Sequence, residues 1–406
     1  MTSRYLLLGG VLLCTAVPGR AAPDDVKIKP LVDARLRYEH VDQDGIAEAA
    51  DALTLRVRPG LELSVGKHWS ALVEGEATLA IVDRNNDGSN GKSAYPLVVD
   101  PRNAELNRAQ LRYASPTFTL TAGRQLVELA DQRFVGSSSF RQNQQTFDAA
   151  RATWSPTKTV SLDLTYAWSA RTVNGIHGTG ARPISVGGDN VFALLSWKSK
   201  IGAVSGFAYL VDQDSAAVQG YRLSSQTYGA RATGAFAVSP DWKLGYNASL
   251  ARQSDWRNNP NRYAATYALG ELTLSGKALT LTAGHEMLGA SSGQALTSVQ
   301  TPLASFFKWN GWAGKFNPTP PDGLRDSYGT VSHGWKKKGP FDMLSLGVTG
   351  HRFASDRLAR RYGDELDLVA AAKYRRATFT ARFAHYDAKS FATDTDKLWL
   401  SVDWVY

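Results

Sequence analysis

The sequence predicts an all-β protein: one closed, antiparallel, up-and-down transmembrane barrel of about eighteen strands. Three observations carry this. Side chains alternate between apolar and polar with period two along nearly the whole chain. The polar connectors between strands are alternately short and long. The chain also ends on a strand, "DKLWLSVDWVY", whose Leu398, Leu400, Val402, Trp404 and Tyr406 share one face.

Composition narrows the class. Apolar residues make up 43% of the 406, and mean hydropathy is −0.27. Past the start, no stretch approaches the ~18 uninterrupted apolar residues of a membrane helix. The segment "YLLLGGVLLCTAV", after Arg4 and before "PGRAAPDD", reads as a signal peptide over residues 1–21, leaving 22–406 as the barrel. Its removal takes away the only cysteine, Cys14, and lowers the net charge from +9 to +7. An exported chain without disulfides needs another source of stability, and a continuous hydrogen-bonded wall is one. Lysines and arginines are spread along the chain instead of clustered, which with export excludes nucleic acid.

The strands show their faces directly. In "VKIKPLVDARLRYE" (26–39), Val26, Ile28, Val32, Leu36 and Tyr38 oppose Lys27, Lys29, Asp33, Arg35 and Arg37. In "LTLRVRPGLELSV" (53–65), Leu53, Leu55, Val57, Leu61 and Leu63 oppose Arg56, Arg58 and Glu62. Residues 160–170 and 242–251 alternate in the same way, whereas 191–197 and 327–335 fit either parity poorly. Short turns are expected near 66–68, 115–116, 155–158, 199–202, 239–241, 275–277, 336–340 and 375. Longer polar segments at 40–50, 83–103, 126–145, 171–188, 213–224, 254–261, 289–325, 355–363 and 389–396 fall between them. An even strand number places both termini at the short-turn, periplasmic end in the outer membrane of a Gram-negative bacterium. Trp69, Trp154, Trp168, Trp197, Trp242 and Trp404 lie near strand ends, as an interfacial girdle requires.

Backbone groups in lipid must be paired, so the sheet closes, and about eighteen strands leave a water-filled lumen. The apolar parity then faces lipid and the charged parity lines the bore. Candidate pathway residues are Arg35, Arg37, Arg56, Arg58, Arg108, Arg112, Arg151, Arg231 and Arg382, interspersed with acids such as Asp33, Glu74, Glu76, Asp163 and Asp403. Such a bore concentrates anions, and its acids keep any one site from holding them too long.

The segment 123–154, with Gly123–Gln125, Arg133–Gly136, Arg141–Asn143 and Gln145–Arg151, resembles the alginate-export family of outer-membrane porins. A second block, "QTPLASFFKWNGWAGKFNPTPPDGLRD" (300–326), is similar to the family's Thr-Pro-Leu-Ala and Gly-Trp-Ala-x-Lys-Phe pattern, with Gly314 where an acid is usual. The resemblance implies an eighteen-stranded barrel with an electropositive constriction that passes an acidic polysaccharide such as alginate. It also implies that Arg124 turns into the lumen through a bulge at Gly123, although strict parity points it to lipid. The residues themselves leave open a broader uptake porin for small carboxylates or neutral sugars. They also leave open an outer-membrane hydrolase in which a serine and a histidine converge.

Trp309, Trp312, Lys315 and Phe316 in the second block are candidates for a constriction loop, by stacking or by packing the loop itself. The string "DRNNDGSNGKSA" (83–94) places Asp83, Asn85 and Asp87 at calcium-loop spacing, but Ala94 stands where the bidentate acid belongs. No cofactor is expected beyond calcium there, and no catalytic residues are expected. The expected partners are outer-membrane lipid, an anionic oligo- or polysaccharide, and periplasmic export or scaffold proteins.

Overall fold

The computed structural model describes residues 26–406, and the signal-peptide reading over 1–21 lies outside the described residues. Eighteen antiparallel strands form one sheet. They begin with β1 (Val26–Gln43), β2 (Ala50–Val65), β3 (Trp69–Arg84), β4 (Asn103–Ala114), β5 (Phe118–Gln125) and β6 (Thr146–Trp154). Next come β7 (Val160–Arg171), β8 (Ser185–Ser199), β9 (Gly202–Val211), β10 (Ser225–Ser239), β11 (Trp242–Asp255) and β12 (Ala264–Ser275). The last six are β13 (Leu279–Leu288), β14 (Leu324–Lys338), β15 (Phe341–Ala354), β16 (Arg361–Tyr374), β17 (Ala377–Ala388) and β18 (Thr395–Val405).

Each strand pairs with its sequence neighbours, and β1 pairs with both β2 and β18. The closing seam runs from Asp33 opposite Val405 to Gln43 opposite Thr395. Beyond the seam, the Tyr406 N–H donates to the Val32 carbonyl at 2.9 Å. The apolar last strand is therefore held along its length, because an open edge in hydrocarbon would leave its peptide groups unsatisfied. Short turns join the strands at one rim; Gly66 at φ +60 supplies the left-handed residue in the turn from β2 to β3.

The register sorts side chains into two faces. Leu61, Val73, Leu111, Leu195 and Leu250 are exposed on the outer wall, while Arg37, Arg56, Arg58, Glu74 and Glu76 are buried inside. Trp69, Trp154, Trp197 and Trp404 stand on the outer wall at the short-turn rim, and Trp168 occupies a bulge of β7 nearer the other rim. Another bulge places Asn107 between Arg108 and Leu106 in the pairing with β3. Two consecutive side chains thereby reach Glu74, from Asn107 at 2.8 Å and from Arg108 at 2.5 and 2.9 Å.

The interior differs from a uniformly charged bore. The inward face carries Phe147, Phe192, Phe207 and Tyr209 on β6, β8 and β9, and Tyr267, Leu288, Phe353 and Tyr386 further round. These pack against Val127, Leu129, Val135, Val299, Leu303 and Phe316, which belong to two long loops folded into the barrel, 126–145 and 289–323. A wall covered by loop needs no polar face. Residues 191–197 look ambiguous in sequence because both their faces are apolar, Val191 and Leu195 outward and Phe192 and Leu194 inward.

Candidate functional site: the lumen constriction

The first loop is fastened to β1–β3 by the arginines of that wall. Arg35 donates to Asp403 at 2.5 Å and to the carbonyls of Ser139 and Phe140 at 3.1 and 2.9 Å. Arg37 bonds the Phe140 carbonyl and Asp100. Arg58 bonds Glu76 at 2.5 Å and the Gln142 carbonyl at 3.0 Å, while Arg56 pairs with Asp33. Side chains add to this: Gln142 of the loop donates to Thr54 at 2.8 Å, and Thr78 of β3 donates to Asn143 at 2.8 Å. Part of the expected arginine set thus spends its donors on loop carbonyls, which a buried loop requires to stay paired.

The acids of β13 and β16 hold both loops. Glu286 accepts from Arg133 at 2.6 Å and from Asn310 at 2.6 Å. Glu365 accepts the Ala313 N–H at 2.7 Å. The two loops meet through a parallel bridge between Val135 and Leu303, reinforced by Gly136 N–H to Leu303 carbonyl at 2.9 Å.

Where they meet, Phe140 stacks on Phe307, and Trp312 stacks on Phe307 with centroids 5.5 Å apart. Trp399 of β18 meets both phenylalanine rings edge-on, at 5.9 and 5.5 Å. Arg382 of β17 holds its guanidinium 5.7 to 5.9 Å from the Phe140, Phe307 and Trp312 rings, a cation–π arrangement. A cavity of about 1110 Å³ opens beside this cluster, bordered by Arg35, Arg37, Arg141, Lys315, Arg382 and Lys397. Lys315 reaches Thr395 at 2.5 Å; burial first, then repulsion from Lys397, lowers its ammonium to about 8. A desolvated cationic rim beside half-buried aromatic rings can hold an oxyanion and pack against a sugar ring at once.

Residues 31–171 match the family model described as alginate export. The fold is that of outer-membrane porin barrels. Acinetobacter baumannii OccAB4 superposes with a TM-score of 0.69 at 10% identity, covering 94% of this chain and 99% of that one. Pseudomonas aeruginosa OccD3 (OpdP) gives 0.69 at 14%, covering 93% and 91%, and Pseudomonas aeruginosa OccK9 (OpdG) gives 0.69 at 13%, covering 93% and 98%. No curated protein matches.

The alginate-export match spans most of β1 through β7 and includes the first inserted loop. The second resembling block, 300–326, lies outside that match but touches the first in space through Val135 and Leu303. Of the constriction candidates, Trp312 and Lys315 border the cavity. Phe316 instead packs among Phe353, Tyr362, Tyr386 and Phe391. Trp309 lies 5.3 Å from the Arg133 guanidinium as packing. Arg108, Arg112 and Arg151 line a separate polar recess of about 310 Å³ on β4–β6, where Arg151 pairs with Asp163 at 2.6 Å. Arg231 pairs with Asp131 of the first loop at 2.9 Å.

Arg124 corrects the expectation drawn from the resemblance. It stands opposite Ala109 and Asp148 with no register shift at Gly123, on the same outer face as Leu111 and Leu120. A two-pronged pair with Asp148, at 2.7 and 2.9 Å, neutralises it there. The acidic string near 83 does not converge on a cation: Lys92 and Arg102 sit at Asp83, while Asp87 caps its own turn at Ser89 and Asn90. Among the described residues no group of three or more acids, histidines and cysteines is arranged to hold a metal. Among the described residues one serine–histidine pair is formed, on the outer wall, Ser327 and His285 at 2.8 Å. Among the described residues no carboxylate bonds that ring to orient it as a base, and the fold is that of porin barrels.

Phe140, Arg141, Lys397 and Trp399 complete the cluster and were not picked out as candidates from sequence. Trp399 carried a signal, since it breaks the polar parity of the last strand.

Proposed function

We propose that the protein is an outer-membrane channel that passes anionic saccharides, of the oligouronate kind, by diffusion, with its short turns and both termini toward the periplasm. The observation that carries this reading is the shared border of one cavity by Arg35, Arg37, Arg382, Lys315 and Lys397 together with Phe307 and Trp312. The Arg382 guanidinium, which is not among those anchored to loop carbonyls, matches a sugar carboxylate, and the half-buried Trp312 ring beside it stacks on the apolar face of a pyranose. Acids such as Asp403, bonded to Arg35, temper the field so that bound anions leave. The alginate-export match over residues 31–171 supports the saccharide class.

A second reading, uptake of small carboxylates, is favoured by the two inserted loops, which narrow the bore. Reversal potential and conductance of the refolded barrel in a planar bilayer, with oligouronates and neutral oligosaccharides titrated in turn, separate the two. Anion selectivity with block by oligouronates alone supports the first. Block by simple carboxylates without oligouronate block supports the second. Weak selectivity with equal block by neutral sugars removes both.

A further inference from the structure

We propose that the outer wall from β13 round to β18 carries a site for a phosphorylated, acylated lipid of the outer leaflet. This rests on the outer face meeting lipid, as in the channel reading, and not on what the lumen passes. Near the long-loop rim, His285 Nδ1 stands 2.8 Å from Ser327 Oγ. Ser327 lies across from Arg352, and Arg325 is two residues further up the same strand. Arg361 begins β16 alongside, opposite Ala354. Among the described residues two carboxylates form ion pairs with these three guanidiniums, and Asp387, across from Asp364, is paired with Lys389. Asp356 takes Arg325 at 2.9 Å, and Asp364 is shared by Arg352, at 3.5 Å, and Arg361. The Arg352 side chain remains 71% exposed. The patch therefore keeps spare positive charge and two further hydrogen-bonding groups, His285 and Ser327.

Toward the short-turn rim, the same wall continues into an apolar groove of about 470 Å³, lined by Val331, Leu346, Val348, Leu368, Ala370 and Phe383. Its floor is shallow where Ala370 and Ala381 pair across strands. From there it runs into a second groove of about 600 Å³ beneath Leu400 and Val402. A cationic patch set above a continuous acyl-wide groove matches a phosphate headgroup with its hydrocarbon chains.

The test is native mass spectrometry of the full chain in detergent, titrated with bisphosphorylated lipid A, its dephosphorylated form, or inorganic phosphate. One lipid A per barrel is expected, with at least ten-fold weaker uptake of the dephosphorylated form and none of inorganic phosphate. R325E/R352E should weaken lipid A uptake at least ten-fold while leaving single-channel conductance unchanged, and the milder R352Q should give a smaller loss in the same direction. Equal binding by these variants, phosphate-independent uptake, or dimers and trimers in place of bound lipid would overturn the site. None of those results would touch the channel reading, which the conductance arm reports separately.

Discussion

Arg133 and Glu286, 153 positions apart, form a buried ion pair at 2.6 Å that ties the first inserted loop to strand β13. Asn310 of the second loop donates to the other oxygen of the same carboxylate. One acid on the wall therefore holds both loops. Removing one partner leaves a buried charge unmatched, which costs about 3–5 kcal/mol. Arg133→Ala should lower the denaturant midpoint of the refolded barrel, and open-channel noise should rise as the loops loosen. An unchanged midpoint and a quiet channel would show that the pair does not hold the loops.

The stack of Phe140 on Phe307 closes the space between the loops. Phe307→Ala opens a gap at that point and removes one ring facing Arg382. Single-channel conductance should increase, and block by oligouronates should weaken by roughly ten-fold, the loss of one stacking partner plus part of a cation–π contact. Conductance equal to the parent would place the narrowest point elsewhere.

Arg382 is surrounded by rings, so its charge is available to the cavity. Arg382→Glu should shift the reversal potential toward cations. Arg124→Glu should leave it nearly unmoved, because Arg124 stands on the outer wall with Asp148. The pair of measurements distinguishes an inward from an outward arginine without a new structure.

Lys315 titrates near 8. It is charged below that value and neutral above it, so the cavity loses one cation as pH rises from 7 to 9. Anion preference should fall over that window, and Lys315→Met should remove this part of the change at both ends. A pH profile identical in the two proteins would show that the ammonium is not sensed by passing ions.

The barrel itself was legible because lipid outside and water or polar loop inside impose period two on every strand. The alternation at Leu53–Val65 gives register and face together. The candidate site was less legible, for two physical reasons. A loop folded into the bore makes inward positions such as Phe192 and Tyr209 apolar, which erases the contrast between faces. The same loop turns Arg35, Arg37 and Arg58 from free cations into anchors for carbonyls that no strand pattern reveals. Arg124 failed for the opposite reason: strict parity was right, and the bulge that would have overridden it is not formed.

The placement of the loops leaves the open space off the barrel axis. Strand residues bordering the large cavity come from β1, β7, β8, β17 and β18, and none from β10 to β16. A solute in this space meets sheet at β17, β18 and β1 and again at β7 and β8, with folded loop between. Arg35, Arg382 and Lys397 all stand on the first of these walls. A linear chain would therefore present a single edge to Arg35, Arg382 and Lys397, so that the spacing of its charges along that edge, more than its total charge, governs how readily it threads.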